Sequence, residues 1–404
     1  MAPSLPQPRR DQPARIDAAL FTPRFWLACS VHFTGAMASS LYILFPLFIR
    51  QLGGSELTIG LYAGLTGAAA VAARIPVGRF LDSHGPRRVL IVAGCLHTAT
   101  WLAFLSIGSL GMRSAALVVA YGVASGSLFA SYFTYASDIT PVTRRSEGFA
   151  MFGIWGMLPN GLGPLLGEAL IAHASFDIYL MVAAAFACTS LCLCLLLPET
   201  IVADTAGAGH SASSGGTFPD RAFLFLLATT FMFGAGVNSL YTFLAPFTYA
   251  SGRDGVGSFF MSYAVTAVAV RVLTGRMPDR VGLRRVLLPA LLLYATGLFL
   301  VPRVGHARLL LVVGAMCGAG HGYAFPILSA LAVELVPPSL RGRAVSWLTA
   351  MFDLGNTLAN PMLGAVAEWV SYPAMFTSSA VGVLAGTALL WRQRSHPPAE
   401  TPPR

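Results

Sequence analysis

The amino-acid sequence predicts an all-α membrane protein of twelve transmembrane helices, arranged as two pseudo-symmetric six-helix bundles. Hydrophobic residues make up 55% of the 404 residues and charged residues only 11%, which is too apolar for a soluble globular chain of this size. In addition, residues 74–90 (RIPVGRFLDSHGPRRVL) and 271–287 (RVLTGRMPDRVGLRRVL) are two copies of one pattern, 197 positions apart. Related membrane-embedded halves that rock against each other are typical of alternating-access transporters.

Apolar stretches of about 20 residues recur along the whole chain, and each is long enough for a helix to cross a hydrocarbon core of roughly 30 Å. Because the backbone in that core must satisfy its own hydrogen bonds, each stretch is predicted to be helical. We number the twelve stretches span 1 to span 12: 24–49, 57–80, 87–109, 114–138, 146–171, 176–198, 221–248, 256–277, 284–302, 307–335, 342–369 and 371–391.

The arginine distribution predicts the orientation. All 26 basic residues are arginines. With a cytoplasmic N-terminus, the tails and cytoplasmic loops hold most of them, and the other side holds only Arg50, Arg113, Arg253, Arg303 and Arg308. Basic residues concentrate on the cytoplasmic side, so we expect both termini there, in a bacterial-type inner membrane. This asymmetry accounts for the net charge of +9, and no basic run with interleaved aromatics indicates nucleic-acid binding.

The domain organisation follows from the spans and from one Gly-, Ala- and Ser-rich stretch between them, which is typical of a flexible tether. The predicted divisions are a cytoplasmic tail (1–23), an N-terminal six-helix bundle (24–198), a cytoplasmic linker (199–220), a C-terminal six-helix bundle (221–392) and a second cytoplasmic tail (393–404).

The duplicated pattern carries a family resemblance. Gly78-Arg-Phe-Leu-Asp82-Ser-His-Gly85-Pro-Arg87-Arg88 resembles the loop 2–3 motif of the major facilitator superfamily, and the second copy resembles its loop 8–9 counterpart. Glycine permits close helix approach at the start of each copy and a tight turn in its middle. The residues of the two motifs are Gly78, Asp82, Gly85, Arg87, Arg88, Gly275, Asp279, Gly282, Arg284 and Arg285.

The resemblance implies that these motifs form a conformational latch. Asp82 is expected to face the start of span 11, around Arg341–Ala344, and Asp279 the start of span 5, near Arg145–Glu147. A carboxylate at a helix N-terminus is stabilised by about 0.3–1 kcal/mol, so such contacts hold the cytoplasmic side shut in one state and break in the other. The alternative is that the arginines only anchor the loops inside the cell.

Span 5 contains a second motif. Gly163-Pro164-Leu-Leu-Gly167 resembles the motif that marks exporters of the superfamily, although Pro159 and Glu168 stand where glycines are usual. With Gly153, Gly156 and Asn160 it forms a stripe at helical spacing, which predicts close packing and a proline kink.

Four titratable residues are candidates for proton coupling: Asp353, His321, His32 and Glu168. Asp353 is the strongest, because it lies about 16 Å into span 11, where an unpaired carboxylate is costly; a structural hydrogen-bonded aspartate is the alternative. His321 and His32 have the ordinary alternative of core histidines, and Glu168 is expected near the outer surface. Arg74 and Arg271, one turn inside the motifs, are interpreted as snorkelling to the headgroups rather than as binding a substrate anion.

In the family that the motifs resemble, spans 1, 4, 7 and 10 line the central cavity. Aromatic and amide groups among apolar neighbours suit an amphipathic organic substrate. The cavity candidates are Ser39, Tyr42, Tyr132, Tyr135, Asn238, Tyr241, His321 and Phe325, with Asn356 on span 11.

The predicted function is secondary active export of a small organic compound, such as a drug, a secreted metabolite or a metal-chelating siderophore-like molecule, by alternating access and driven by protons. An uptake permease or facilitator for a polar nutrient is the alternative, and a non-transporting receptor or scaffold is a third hypothesis. Because the sequence contains no nucleophile elbow, phosphate loop or metal-spaced histidine pair, we expect neither an enzyme nor a cofactor or metal. The expected partners are the substrate, protons and membrane lipid, with a monomer as the functional unit.

Overall fold

All twelve predicted spans are helical. The computed structural model describes residues 20–200, 220–337 and 340–392. The spans are Pro23–Leu41 continued by Phe45–Gln51 (span 1), Glu56–His84 (span 2), Pro86–Phe104 (span 3), Met112–Ile139 (span 4), Arg145–Met157 and Pro159–His173 (span 5), Phe176–Leu196 (span 6), Arg221–Ala250 (span 7), Val256–Thr274 and Met277–Val281 (span 8), Leu283–Leu300 (span 9), Ala307–Glu334 (span 10), Arg341–Trp369 (span 11) and Tyr372–Arg392 (span 12).

Ten of these helical segments are individually long and apolar enough to cross a membrane, within the part of the chain that the structure describes. Spans 3 and 11 are not among them, and span 11 carries a row of polar residues that lowers its hydropathy. The fold class predicted from the sequence is confirmed. Most of the predicted linker and tails lies outside the described residues, so those boundaries stay predictions.

Two glycines make the tight turns that the duplicated motif predicts. Gly85 has φ +78° and Gly282 has φ +106°, a region that other residues rarely adopt. Each is followed directly by the next helix, at Pro86 and Leu283. The same residue type therefore reverses the chain at the same place in both halves.

Within the described residues three spans are interrupted, and none of these interruptions was predicted at its place. Span 1 passes through a short 3-10 turn at Tyr42–Leu44. Span 5 is interrupted between Met157 and Pro159, because proline has no N–H to continue the helix ladder. The kink was expected at Pro164, which lies inside the second helical piece. Span 8, predicted to run unbroken to residue 277, stops at Thr274 and resumes at Met277.

Among the described residues, the two halves contact each other mainly where span 2 packs on span 11 and span 5 packs on span 8, and the end of span 1 also contacts span 7. We call the membrane side of the motif turns (Gly85 and Gly282) the motif side, and the side of the loops 52–55 and 251–255 the opposite side. The contacts between the halves lie from mid-depth to the opposite side, as the following residues show. The structure is therefore closed on the opposite side and open toward the motif side.

Candidate functional site

An ion pair joins the two halves near the middle of the membrane. Arg74 Nη1 of span 2 contacts Asp353 Oδ2 of span 11. The Asp353 side chain is 21% exposed and that of Arg74 is 44% exposed, so the pair is only partly shielded from water. The interpretation of Arg74 as a snorkelling residue is wrong for this conformation, because its guanidinium reaches across to the other half.

Polar residues continue from Asp353 toward the opposite side along one face of span 11. Asn356, Thr357 and Asn360 follow at i+3, i+4 and i+7, the spacing of one helix face. Asn356 Oδ1, Thr357 Oγ1 and Asn360 Oδ1 are buried and have no hydrogen-bond partner within the described residues. Buried acceptors of this kind usually have a partner, so this row is unusual for a packed helix face.

Glycines of span 2 bring its backbone against that face. A Cβ on Gly60 would overlap the carbonyl oxygen of Asn360, and one on Gly64 would lie 3.1 Å from Pro361 Cγ. Gly257, which stands 197 positions after Gly60, has the same role in span 8: a Cβ there would lie 2.5 Å from Leu165 Cα of span 5. Neither glycine was singled out from the sequence, although their matching positions in the two repeats are a signal that could have found them.

The glycine stripe of span 5 packs within its own half. Added Cβ atoms on Gly163 and Gly167 would overlap Ser40 and Leu44 of span 1, so the close packing predicted for this motif is observed. The approach to the other half is made instead by Gly161, where a Cβ would lie 2.9 Å from Met261 Cα of span 8.

Glu168 closes the opposite side by capping a helix of the other half. Its Oε1 accepts hydrogen bonds from the backbone N–H groups of Gly255 (2.8 Å) and Val256 (3.2 Å), and its Oε2 accepts one from Gly257 (2.8 Å). These are the donors that the start of a helix leaves unsatisfied, and the carboxylate also faces the positive end of the helix dipole. Glu168 lies near the surface, as predicted, but its contacts are those of a latch rather than of a proton site.

Replacing Glu168 with alanine is expected to accelerate amide hydrogen exchange at residues 255–257 by about tenfold, which corresponds to roughly 1.4 kcal/mol, the scale of a carboxylate at a partly buried helix N-terminus. The matched control is Glu147→Ala, because the ion pair that Glu147 forms within the described residues is with Arg144, in its own half. Unchanged exchange in the Glu168 variant, measured by mass spectrometry on the purified chain, would contradict the latch.

Further contacts join the halves on the opposite side. Glu368 Oε2 at the end of span 11 accepts from the Leu57 N–H at the start of span 2, at 2.8 Å. Arg50 forms an ion pair with Glu56 at 3.2 Å and donates to the Pro246 carbonyl of span 7 at 3.1 Å. Together with Glu168, these residues close the opposite side through hydrogen bonds between charged side chains of one half and backbone groups of the other.

The latch predicted on the motif side is open in this conformation. Asp82 and Asp279 are exposed, and within the described residues neither forms an ion pair with span 11 or span 5. Gly78 has no neighbour within 4 Å of an added Cβ. The motif arginines pair with Glu199, which follows span 6: Arg87 Nη1 lies 3.1 Å and Arg88 Nε lies 3.8 Å from Glu199 Oε1.

The two histidine candidates differ in their surroundings. His32 is 4% exposed and stacks on Phe152, with ring centroids 4.5 Å apart, so it lies in the core of the first half rather than in an open cavity. His321 forms a hydrogen bond with the Tyr263 hydroxyl and lies on span 10, close to the interface between the halves.

The cavity candidates separate into structural and accessible residues. Tyr132 and Tyr135 are 5% and 1% exposed; the first lies 3.3 Å from the Ser190 hydroxyl, and the second donates to the Pro198 carbonyl at 2.9 Å. The prediction that these two tyrosines line the cavity is therefore wrong for this conformation, because their side chains pack against other residues of the first half. The candidates that stay partly exposed are Ser39, Tyr42, Asn238, Tyr241, His321, Phe325 and Asn356.

Asn238 and Tyr42 already have partners. Asn238 donates to the Asn356 carbonyl at 2.9 Å, which ties span 7 to the polar face of span 11. The Tyr42 hydroxyl lies 3.0 Å from Thr66 Oγ1, and its ring stacks on Tyr121.

Arg271 occupies the position in the second half that Arg74 occupies in the first. Its Nε donates to the Gly322 carbonyl of span 10 at 3.3 Å, and its Nη1 contacts Met157 Sδ of span 5 at 3.3 Å. Asp353 has Gly156 as its repeat counterpart. Arg271 thus reaches span 5 at the position equivalent to the one where Arg74 reaches span 11. On span 5, however, a glycine stands in place of the carboxylate.

Comparisons with known proteins match this architecture. The family model of the Major Facilitator Superfamily matches residues 27–254 and 226–404. The MFS-type transporter YhhS of Escherichia coli (strain K12) is 24% identical over 385 residues, covering 90% of this chain and 92% of the relative. The MFS-type transporter STM4428 of Salmonella typhimurium (strain LT2) is 25% identical over 365 residues, covering 86% and 90%.

Solved structures share the fold. The nucleoside transporter NupG superimposes with a TM-score of 0.76 at 14% identity, covering 93% of this chain and all of the other. The human organic anion transporter MFSD10 gives 0.64 at 18% identity, covering 91% and 100%. With the family model matched across nearly the whole length, the chain is a multi-pass membrane transporter that belongs to the major facilitator superfamily.

Proposed function

We propose that this transporter exports a small organic molecule in exchange for protons, with Asp353 as the proton site and the motif side facing the cytoplasm. The observation that carries the proposal is the Arg74–Asp353 ion pair, which links the halves at mid-depth. An ionisable pair inside a membrane is expensive and is characteristic of ion or proton pathways.

The pair couples protonation to conformation. When the opposite side is closed, Asp353 is held in the ion pair with Arg74, and its proton is released toward the open motif side. When the halves separate on the opposite side, Asp353 loses that partner and takes up a proton from that side. Uptake outside and release inside is the direction that drives export.

The latches on the two sides alternate in this scheme. Glu168 and Glu368 hold the opposite side shut in the present conformation. Asp82 and Asp279 close the motif side after the halves have rocked, by facing the starts of span 11 and span 5. The Gly163-Pro164-x-x-Gly167 motif in span 5 favours export over uptake. One copy of the chain contains both halves of the site, so the functional unit is a monomer.

The chemistry of the cavity suits an amphipathic substrate. Tyr241 packs on Phe260 and Tyr263, and Phe325 packs on Phe352, while Asn238 and Asn356 supply amide groups. The solved structures that share the fold are described as transporters of nucleosides, peptides and organic anions, so the fold alone does not select among these classes.

The test uses inverted inner-membrane vesicles in which respiration acidifies the interior, and a library of amphipathic organic compounds. A compound that is exchanged for protons dissipates the pH gradient, which a pH-sensitive dye reports. We expect at least one compound to do so with the native chain and none with Asp353→Asn. The exposed Asp254→Asn is the matched control and should behave as the native chain.

Other outcomes would overturn the proposal. If Asp353→Asn dissipates the gradient as the native chain does, the proton site is elsewhere. If whole cells instead accumulate the active compound in a chain-dependent manner, the protein is an uptake permease. If crosslinking the motif-side ends of the two halves leaves its function intact, the protein is not an alternating-access transporter.

A further inference from the structure

The two halves differ in charge at the positions equivalent to the Arg74–Asp353 ion pair. Arg74 and Arg271 are repeat counterparts, and so are Asp353 and Gly156. In the first pair of contacting spans the arginine has a carboxylate partner. In the second, Arg271 donates to the Gly322 carbonyl and to Met157 Sδ, and no carboxylate within the described residues forms an ion pair with it.

A guanidinium at mid-depth in a membrane is costly without a counter-charge. Arg271 remains more than a third exposed, so a ligand can reach it. Its planar fork of N–H donors matches carboxylate, sulfonate and phosphate groups, which accept two parallel hydrogen bonds. The position is therefore suited to an anionic group that arrives and leaves with a ligand.

Arg271 lies near three aromatic or imidazole side chains and among further arginines. The guanidinium is close enough to Tyr241, Tyr263 and His321 for electrostatic interaction. A cavity of about 740 Å³ lies at the break in span 8, lined by residues 271–277, 280 and 281. Arg271, Arg276 and Arg280 line it and no acidic residue does, so its walls favour an anion.

We propose that Arg271 binds the anionic group of the transported molecule, and that this molecule is an organic anion with a carboxylate, sulfonate or phosphate and an aromatic or apolar body. This inference rests on the proposed transport function and deepens it by naming the substrate class. The substrate supplies to Arg271 the negative charge that Asp353 supplies to Arg74.

The test measures thermal unfolding of the purified full-length chain with benzoate, benzenesulfonate or phenyl phosphate, and with neutral benzamide at equal ionic strength. We expect at least one anion, and not benzamide, to raise the unfolding temperature. Arg271→Gln should weaken the apparent affinity at least tenfold, whereas Arg271→Lys keeps the charge and part of the effect. The matched control is Arg144→Gln, in which the effect should persist because Arg144 pairs with Glu147 within the first half.

A second variant supplies the anion from within the chain. Met157→Glu places a carboxylate beside Arg271 Nη1, so it should stabilise the protein without any probe and remove the response to the anions. Met157→Gln, of the same size, should do neither. This variant also keeps the inference testable if Arg271→Gln does not fold.

Three outcomes would overturn the inference: no response to any of the anions, an equal response in Arg271→Gln, or stabilisation through Arg271 by phosphatidylglycerol alone in nanodiscs, which would make the site one for a lipid headgroup. Binding is measured here without a pH gradient. Failure of proton coupling at Asp353 therefore leaves this result standing, and failure of anion binding leaves the coupling test standing.

Discussion

Substituting valine for Gly60 or Gly257 is expected to prevent closure of the opposite side and abolish transport. Each glycine lies where the backbones of the two halves touch: an added Cβ would overlap the Asn360 carbonyl in one case and lie 2.5 Å from Leu165 Cα in the other. Both neighbours are backbone atoms of a helix and have little freedom to move. Overpacking of this kind typically costs about 1–3 kcal/mol, and here it penalises only the closed arrangement.

The measurement is the distance between spin labels on Gln51 and Ser251, which lie at the ends of spans 1 and 7 on the opposite side, in a chain whose native cysteines have been replaced. We expect the short distance to dominate in the parent chain and a longer one to dominate in either valine variant. Gly153→Val is the control, since Gly153 has no neighbour within 4 Å of an added Cβ. A distance distribution that stays short in both Gly60→Val and Gly257→Val would exclude these contacts as the closure.

The second large effect is expected from reversing one charge of the ion pair between the halves. Arg74→Asp places two carboxylates against each other, so the loss of the attraction is joined by repulsion. Because the pair is partly exposed, we place its contribution between that of a surface pair and that of a buried one, at about 1–3 kcal/mol. The ratio of closed to open molecules, read from the same spin labels, should fall by about 5- to 150-fold.

The reversed pair provides the internal control. The double variant Arg74→Asp with Asp353→Arg restores an opposite-charge contact and should recover most of the closed fraction. Arg144→Asp breaks an ion pair that lies within the first half and should leave the distances unchanged. If the double variant is as open as Arg74→Asp, the two residues do not act as a pair.

The duplication made the fold predictable. Since the two copies of the motif fix the repeat at 197 positions, the spans of one half could be checked against the other, and all twelve are observed as helices. The depth of Asp353 could be predicted as well, because the rise of a helix is constant. Its partner could not, because depth along a span does not reveal which neighbouring span it faces. The occurrence of an arginine in both copies, at Arg74 and Arg271, favoured an assignment to the headgroups.

The direction of a side chain around its helix limited the other site predictions. Tyr132 and Tyr135 lie on span 4, which lines the cavity in the family that the motifs resemble, but both point into the first half and bond to residues of span 6 and its end. Glu168 was placed at the correct depth, whereas its role depends on the start of span 8 lying opposite it. Such pairings depend on how the two halves pack, so the sequence of one helix alone does not predict them.

The buried oxygens of Asn356, Thr357 and Asn360 have a consequence for the energetics of the cycle. A buried polar atom without a partner costs about 1–3 kcal/mol. Thr357 and Asn360 lie against Gly67 and Gly60 of span 2, so separation of spans 2 and 11 would give water access to this part of the polar face. Relief of that cost favours opening, and it adds to the effect of protonation or of a bound molecule.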